Sequence, residues 1–534
     1  MDVILIVKHW IRLCTFWALG GALLSGLLVG CAMVGSGGGT AVDEPHAMFM
    51  RGLAKIEDIY IRDEDLGELS LAGLTRVASL DAKVAVTRQT DKVAVGFDGK
   101  PVAQFQAPSK DDAEGWGNLC ASVVAAARTA SPDLQARSNE DIYEAFFKGV
   151  VSKLDTFSRY STRKQATENR AQREGFGGIG ISVAVEEKAV RVIKVMHYMP
   201  AERAGLKDDD VIEAVDDKPV AGLQQDQVID MLRGPIDSHV KVTIVRKNGA
   251  PFSVDITRAL IVIETVSYER KGDVGYIHLT GFNVDSAQSL RNEVLHARQD
   301  IGPDVRGYIL DLRDNPGGLL DQSEAVADLF MNDGRIVFTR GRNPDSNQYS
   351  DATPGDIADG LPMVVLVNGD SASASEIVAA ALQDSGRAVV VGSNSYGKGT
   401  VQQVVEMPNG GELTLTWARF HAPSGYTLHR IGVIPSVCTN AKGETAKQLI
   451  SDLRLGKIKP VPTDLRNIDD PDTSPVLGKL RAICPVRSGE DPVDVEVALD
   501  LLADPSLYKR AEHLADVRPG TAASSAAAVS QSLP

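Results

Sequence analysis

The sequence predicts a multidomain protein of mixed α/β and α+β class, with a small, partly open β-barrel joined to an α/β layer. Three observations carry this expectation. The chain has 534 residues, too many for one ordinary hydrophobic core. Between Gly175 and Ala259 it runs in short alternating stretches with two brief helical pieces. From Val274 onward strands and helices alternate, the pattern of helices packed on a sheet. A hydrophobic content of 43% and a charged content of 24% fit a globular body. The net charge of −15 argues against a nucleic-acid partner, because phosphate binding needs clustered Lys and Arg.

The N-terminus has a basic flank at Lys8 and Arg12, then an almost wholly apolar run from Leu13 to Val29. The run ends in Leu28-Val29-Gly30-Cys31 before a Gly/Ser linker. That order reads as an export signal, and its ending resembles a bacterial lipobox, which makes Cys31 the expected lipidation site. The alternative is an uncleaved membrane helix, since Leu13 to Val34 is just long enough to span. Either way the body lies outside the cytoplasm, in the cell envelope facing the periplasm, with a membrane partner at the N-terminal anchor. Of the five cysteines, Cys14 and Cys31 lie in the signal; among Cys120, Cys438 and Cys484 of the body, export permits one disulfide. Cys438 and Cys484 flank a Pro/Asp-rich stretch and are the expected pair; three buried thiols are the alternative.

The segment Asn139 to Asp155 has a helical start, with Ile142, Phe146 and Val150 on one face. Then come the strands "IGISVAV", "AVRVIKV", "DVIEAVD", "VKVTIV" and "FSVDIT", with helices in "PAERAGL" and "LQQDQVIDMLRG". The α/β body reads as strands "VGYIHL", "GYILDL", "MVVLV", "AVVVG" and "ELTLTWARF", with helices at Ser286–Ala297, "LLDQSEAVADLF" and "ASEIVAAALQD". The boundaries are a signal or anchor over 1–31, a linker over 32–42 and a partly helical region over 43–168. The short-strand domain follows over 169–260, the α/β body over 261–440, a C-terminal region over 441–519 and an Ala/Ser-rich tail, expected to be disordered, over 520–534.

Two nucleotide-like motifs fail on context. "GFGGIG" (Gly175 to Gly180) matches a dinucleotide fingerprint, but helix-like sequence precedes it and a strand follows, the inverse of what a pyrophosphate site needs. "GSNSYGKGT" (Gly392 to Thr400) has Gly399 where a P-loop needs a hydroxyl, and no helix follows. No His/Cys/Asp/Glu cluster has metal-ligand spacing, so neither metal nor cofactor is expected.

Chemistry is concentrated in "NGDSASASEIVAAAL", where three serines stand between a strand and a helix. A nucleophile there has free backbone N–H groups and a helix dipole beside it. Helix capping explains one serine, Ser371 or Ser375, and leaves Ser373 as the candidate nucleophile. No histidine stands in a glycine-rich turn nearby, whereas Lys398, between Gly397 and Gly399, follows the next buried strand. A lysine whose pKa is lowered by burial serves as a base, and adjacent strand ends would bring it beside Ser373. The turn "DLRDNPGGLL" (Asp311 to Leu320) offers paired glycines for a close backbone approach.

Taken together, "GGIGISV", "AERAGLKDDDVI", "MLRGP", "DLRDNPGGLL", "SASASEI", "SYGKGTVQQ" and "ARFHAPSG" resemble the C-terminal processing peptidases, or tail-specific proteases, in motif order from about Val150 to Ser436. The resemblance implies a PDZ domain joined to a crotonase-like α/β protease core. It implies Ser373 as nucleophile, Lys398 as general base and Gln402, one helical or loop turn beyond, as the residue orienting the lysine. It implies an oxyanion hole from the N–H groups of Gly318 and Ala374. In the PDZ unit, Gly178, Ile179, Gly180 and Ile181 would form a nest for a substrate's C-terminal carboxylate, with Ile179 and Ile181 flanking an apolar pocket. Arg233 would report peptide occupancy to the active site. The partners so implied are protein or peptide substrates with free C-termini; a homo-oligomer or regulatory adaptor stays open. Asp314 stands where the family more often has Asn, and Thr156 where it often has Pro. Rival readings are a non-catalytic, membrane-anchored PDZ scaffold and an acyl-CoA enzyme on the same core.

Overall fold

The computed structural model describes residues 44–515, apart from 187–188, 248, 441–444, 462–465, 467 and 469. The expected signal with Cys31, the linker and the C-terminal tail lie outside the described residues. Among those described, no helix is long and apolar enough to cross a membrane.

The α/β body is built on a six-stranded sheet. Its spatial order is Val266–Lys271, Val274–Leu279, Gly307–Asp311, Met363–Val367, Val389–Gly392 and Val437–Cys438. The first pair is antiparallel and all later pairs are parallel. Met363–Val367 is buried at every position, as a central parallel strand covered on both faces must be. One face packs on helices Ser286–Ile301, Leu320–Asp328 and Ala374–Asp384 through a core containing Leu290, Val326, Ile377 and Leu382. The other face, through Val364, Leu366, Val389 and Val391, meets Leu449, Leu453, Val497 and Leu501 of the C-terminal helices Ala446–Arg454 and Pro492–Ala503. These C-terminal helices thus form a second helical layer of the same body, while Val461, Leu480 and Cys484 of the same region pack into the core of the first face. The Cys438–Cys484 disulfide joins the last strand to the C-terminal region, as expected from the sequence. Cys120 is free and buried, and burial pushes its thiol up to about 12.

A second, antiparallel sheet orders Tyr349–Asp351, Arg335–Arg340, Glu412–His421 and Thr400–Glu406, with Arg159–Ser161 also paired to Glu412–His421. The N-terminal helices and a three-stranded hairpin ladder pack on it. Phe49, Trp116, Phe146 and Phe147 share one core with Val405, Met407, Leu413 and Leu415. The helix expected near Asn139 spans Asn139–Val151, and Ile142, Phe146 and Val150 are buried as read.

The short-strand domain is an antiparallel sheet in the order Phe252–Thr257, His239–Val245, Val211–Val215, Ala189–Val195 and Ile181–Glu186. Ile181–Glu186 is its edge strand, and helix Gln225–Leu232 packs beside it. The domain is tied to the body by Phe176–Gly178 paired with Ala259–Ile261. The helix Arg163–Glu174 stands before "GFGGIG" and a strand stands after it, so the context is the inverse of a dinucleotide site.

Candidate active site

The strand Met363–Val367 delivers the serine cluster, and the helix Ala374–Asp384 begins one residue after Ser373. Ser373 sits at φ 58, ψ −113, a strained conformation for a residue with a side chain. Its neighbours hold it there. Ser371 Oγ donates to Leu312 O at 2.7 Å, and Ser375 Oγ donates to Asn315 O at 2.9 Å. Ala372 N donates to Asn315 O at 3.0 Å. Ser371 and Ser375 therefore rivet the turn to the glycine loop, and neither caps the helix, contrary to expectation. Ser373 itself occupies the N-cap position, its side chain makes no cap hydrogen bond, and the residue is 8% exposed.

The glycine loop lies against this turn. A Cβ on Gly317, at φ 99, would stand 2.9 Å from Ser373 Cβ and 2.7 Å from Ala372 O. A Cβ on Gly318, at φ 154, would stand 2.1 Å from Phe282 O. Only glycine fits either place. Among the described residues no acceptor faces the Gly318 N–H, and Ala374 is the first residue of its helix, where N–H groups lack intrahelical acceptors. Asp314 accepts from Asn368 Nδ2 at 2.7 Å, so the acid in that position braces the two loops together.

The lysine turn follows Val389–Gly392, the strand adjacent to Met363–Val367, as expected. Its glycines are required by close approach: Gly399 would place a Cβ 1.9 Å from His429 N, and Gly397 is at φ 90. Lys398 is half-buried, with Nζ 5.6 Å from the Phe157 ring centroid. Burial first, then the nearby Arg159 guanidinium, lowers its pKa below the usual lysine range, against the pull of Glu376. Among the described residues its ammonium has no hydrogen bond or ion pair, so no bond joins it to Ser373 Oγ in this structure. Gln402 lies on the strand Thr400–Glu406 rather than on a helical or loop turn, and donates to Thr400 Oγ1 at 2.8 Å, not to the lysine.

One residue that the sequence reading passed over joins the two turns. Glu376 is fully buried; Oε2 accepts from Ser373 N at 2.8 Å and Lys398 N at 2.9 Å, while Oε1 accepts from Gly397 N at 2.7 Å and Ser395 Oγ at 2.5 Å. Burial raises its pKa above the usual carboxylate value, although all four contacts are donors that favour the ionised form. The signal was present as Ser373-x-x-Glu376, the capping-box spacing, with the carboxylate at the third helical residue reaching back to the Ser373 N–H.

The PDZ-type residues are partly rearranged. Ile179 is 2% exposed and belongs to the domain core with Val192 and Val228, so it does not flank an open pocket. The reason is the turn itself: Ala201 N donates to Ile179 O and Met196 N to Gly180 O, which draws the loop inward. Gly178 pairs with Ala259, Gly180 is at φ 78, and Ile181 opens the edge strand half-buried. The Arg233 guanidinium stacks 3.9 Å over the Phe176 ring, at the joint between this domain and the body.

Comparison with known proteins places this geometry. The model of peptidase family S41 matches residues 273–439, and the PDZ domain model matches 168–245. A carboxy-terminal-processing protease of Bartonella bacilliformis is 38% identical over 302 residues, covering 56% of this chain and 70% of that one. The chain belongs to peptidase family S41. A probable CtpA-like serine protease of Staphylococcus aureus is 32% identical over 326 residues, covering 60% of this chain and 65% of the relative. Among solved structures, a photosystem II D1 C-terminal processing protease is similar at 24% identity and a TM-score of 0.38, covering 74% of this chain and 92% of that one. The architecture is accordingly a PDZ domain plus an S41 protease core, and the protein is a serine-type peptidase of the carboxy-terminal-processing family. Within the S41 match fall the serine turn, the glycine loop, the lysine turn and Glu376.

Proposed function

We propose that this S41 peptidase is an exported endopeptidase that cuts proteins near their C-termini with a Ser373–Lys398 dyad. The observation that carries the reading is the pair of turns bridged by Glu376, one presenting the Ser373 hydroxyl and the other a lysine of lowered pKa. Neutral Lys398 takes the Ser373 Oγ proton as Oγ attacks the scissile carbonyl carbon. The oxyanion develops against the N–H groups of Gly318 and Ala374, already free of acceptors. The lysine ammonium then returns its proton to the leaving amine, giving an acyl-enzyme and a new N-terminus. Water, losing a proton to the same lysine, attacks the acyl carbonyl and restores the serine. Gln402 orients the amine once substrate closes the site. Because apo catalytic hydrogen bonds are often long, the open Ser373–Lys398 contact is compatible with this role. The Cys438–Cys484 disulfide supports an oxidising, envelope-side location, with Cys31 as lipid anchor.

Activity is expected to rise with pH along an alkaline limb, because only the neutral amine accepts the proton. Arg159 repels the ammonium, so Arg159→Gln raises the Lys398 pKa, moves the limb to higher pH and lowers the rate at neutral pH. A pH–kcat profile checks both signs; an unmoved limb contradicts the electrostatic role of Arg159.

The PDZ domain presents the free edge strand Ile181–Glu186 beside helix Gln225–Leu232, the arrangement that accepts an extended peptide as an added strand. With Ile179 in the core, Ile181 is left as the apolar contact for the last substrate side chain. Two peptides identical except for a free or amidated C-terminus are expected to differ about tenfold or more in affinity for the full chain, since charge-assisted bonds contribute about 1.5–3 kcal/mol. Equal affinities contradict carboxylate capture and leave the dyad untouched.

A further inference from the structure

A cavity of about 1020 Å³ opens beside the lysine turn, lined by Gly397 and by Phe157, the ring facing Lys398 Nζ. Six arginines also line it: Arg62, Arg340, Arg342, Arg419, Arg430 and Arg481. The chain as a whole carries a net charge of −15, so this concentration is local and opposes the overall balance. Among the described residues, two carboxylates line the same walls, Asp155 and Asp472. Asp155 is occupied by Phe157 N, Ser158 N, Ser158 Oγ and Thr416 Oγ1, at 2.7–3.0 Å. Asp472 stands between Arg419 at 2.9 Å, Arg430 at 3.3 Å and His429 at 3.2 Å. Arg62 pairs with Glu64.

Three arginines are left without a carboxylate among the described residues. Arg481 is held by the carbonyls of Arg430, Ile431 and Ser395. Arg342 is held by the carbonyls of Tyr60 and Glu57. Arg340 lies 5.3 Å from the Phe338 ring centroid and donates to Tyr349 Oη at 3.4 Å. Neutral acceptors fix these side chains, and none of the three forms an ion pair among the described residues, although the buried Glu376 attracts Arg481. Asp472 shows what the walls accept, a carboxylate met by several cations at once.

We propose that this cavity is a subsite for an acidic side chain of the polypeptide substrate, near the scissile bond. The inference rests on the peptidase reading, because it is the Ser373–Lys398 centre that places a bound chain beside Gly397 and Phe157. An extended chain advances about 3.3 Å per residue, so a Glu or Asp a few positions from the cleaved bond reaches the arginines. The protein so built selects substrates with an acidic residue at a fixed distance from the cut, independently of what the PDZ domain takes at the C-terminus.

The test uses the full chain and a peptide series with one invariant C-terminus, in which a single Glu is walked through the positions flanking the cut, each paired with its Gln counterpart. At one or two adjacent positions Glu is expected to exceed Gln by about tenfold or more in kcat/KM, chiefly through KM, with the ratio falling as salt rises. Arg340→Gln is expected to bring that ratio close to one. The same pairs are measured for binding to the Ser373→Ala chain, where no turnover is needed. Cleavage of the Gln peptides with no Glu preference anywhere, or a preference unchanged by Arg340→Gln, overturns the subsite and leaves the peptidase standing. Failure to cleave either peptide overturns the peptidase reading instead, and the binding arm still decides the subsite by the same ratio.

Discussion

A chain carrying Ser373→Ala is expected to lose proteolysis by about 10⁴-fold or more in kcat while remaining folded, and Lys398→Ala is expected to lose nearly as much. In the proposed dyad the two act as one unit, so the double substitution should cost little beyond either single one. The reasons are geometric. Ser373 is held at a positive φ by contacts that do not involve its own hydroxyl, since Ser371, Ser375 and the Ala372 N–H secure the turn. Removing Oγ therefore removes chemistry without removing a tether. Turnover of a casein substrate and the circular dichroism spectrum, read on the same preparations, check the expectation. Ser371→Ala, by contrast, breaks the bond to Leu312 O and should lower stability, by about 1 kcal/mol for a lost hydrogen bond.

Glu376→Gln is expected to have the next largest effect, a fall in kcat on the order of 10²-fold with stability reduced by about 3 kcal/mol. Four donors converge on the two carboxylate oxygens. An amide offers one acceptor oxygen and turns its NH₂ toward two of those donors, leaving them buried and unpaired. The nucleophile turn and the lysine turn then lose the group that sets their separation. A second readout separates this from simple destabilisation. Glu376 raises the Lys398 pKa by its charge; without it the pKa falls further and the alkaline limb moves to lower pH, the direction opposite to Arg159→Gln. A stable Glu376→Gln protein with an unshifted limb and undiminished kcat contradicts the bridging role.

The α/β body was legible where a strand or helix is buried on every side. "MVVLV" and "ASEIVAAALQD" occupy 363–367 and 374–384 as read, because a continuous apolar run and an alanine-rich stretch closed by Ser385 and Gly386 leave few alternatives. The antiparallel sheet was largely missed. Thr400–Glu406 carries a bulge between Val401 and Gln402, which breaks the two-residue alternation that marks a strand. The last two C-terminal helices, Pro492–Ala503 and Pro505–Glu512, were hidden by the Pro and Asp that start them: Asp491 and Asp504 are N-caps and Pro492 and Pro505 the first helical residues. In the site, Ser373, Lys398 and the glycine loop could be named from residue type and spacing, and neighbouring parallel strands bring them together. Ile179 could not be placed, because the hydrogen bonds that turn it into the core come from Ala201, on a different element. The arginine cavity was also invisible, since its walls come from segments more than 400 residues apart in sequence, from Arg62 to Arg481.

The central claim is that Ser373 is made nucleophilic by Lys398, and covalent labelling tests it most directly. The chain is treated with a serine-directed fluorophosphonate across a pH series, and the modified residue is located by peptide mass spectrometry. The account predicts a single adduct on Ser373, forming faster as pH rises, and its loss in a folded Lys398→Ala chain. An adduct on another serine, or labelling of Ser373 at an undiminished rate without Lys398, would contradict it.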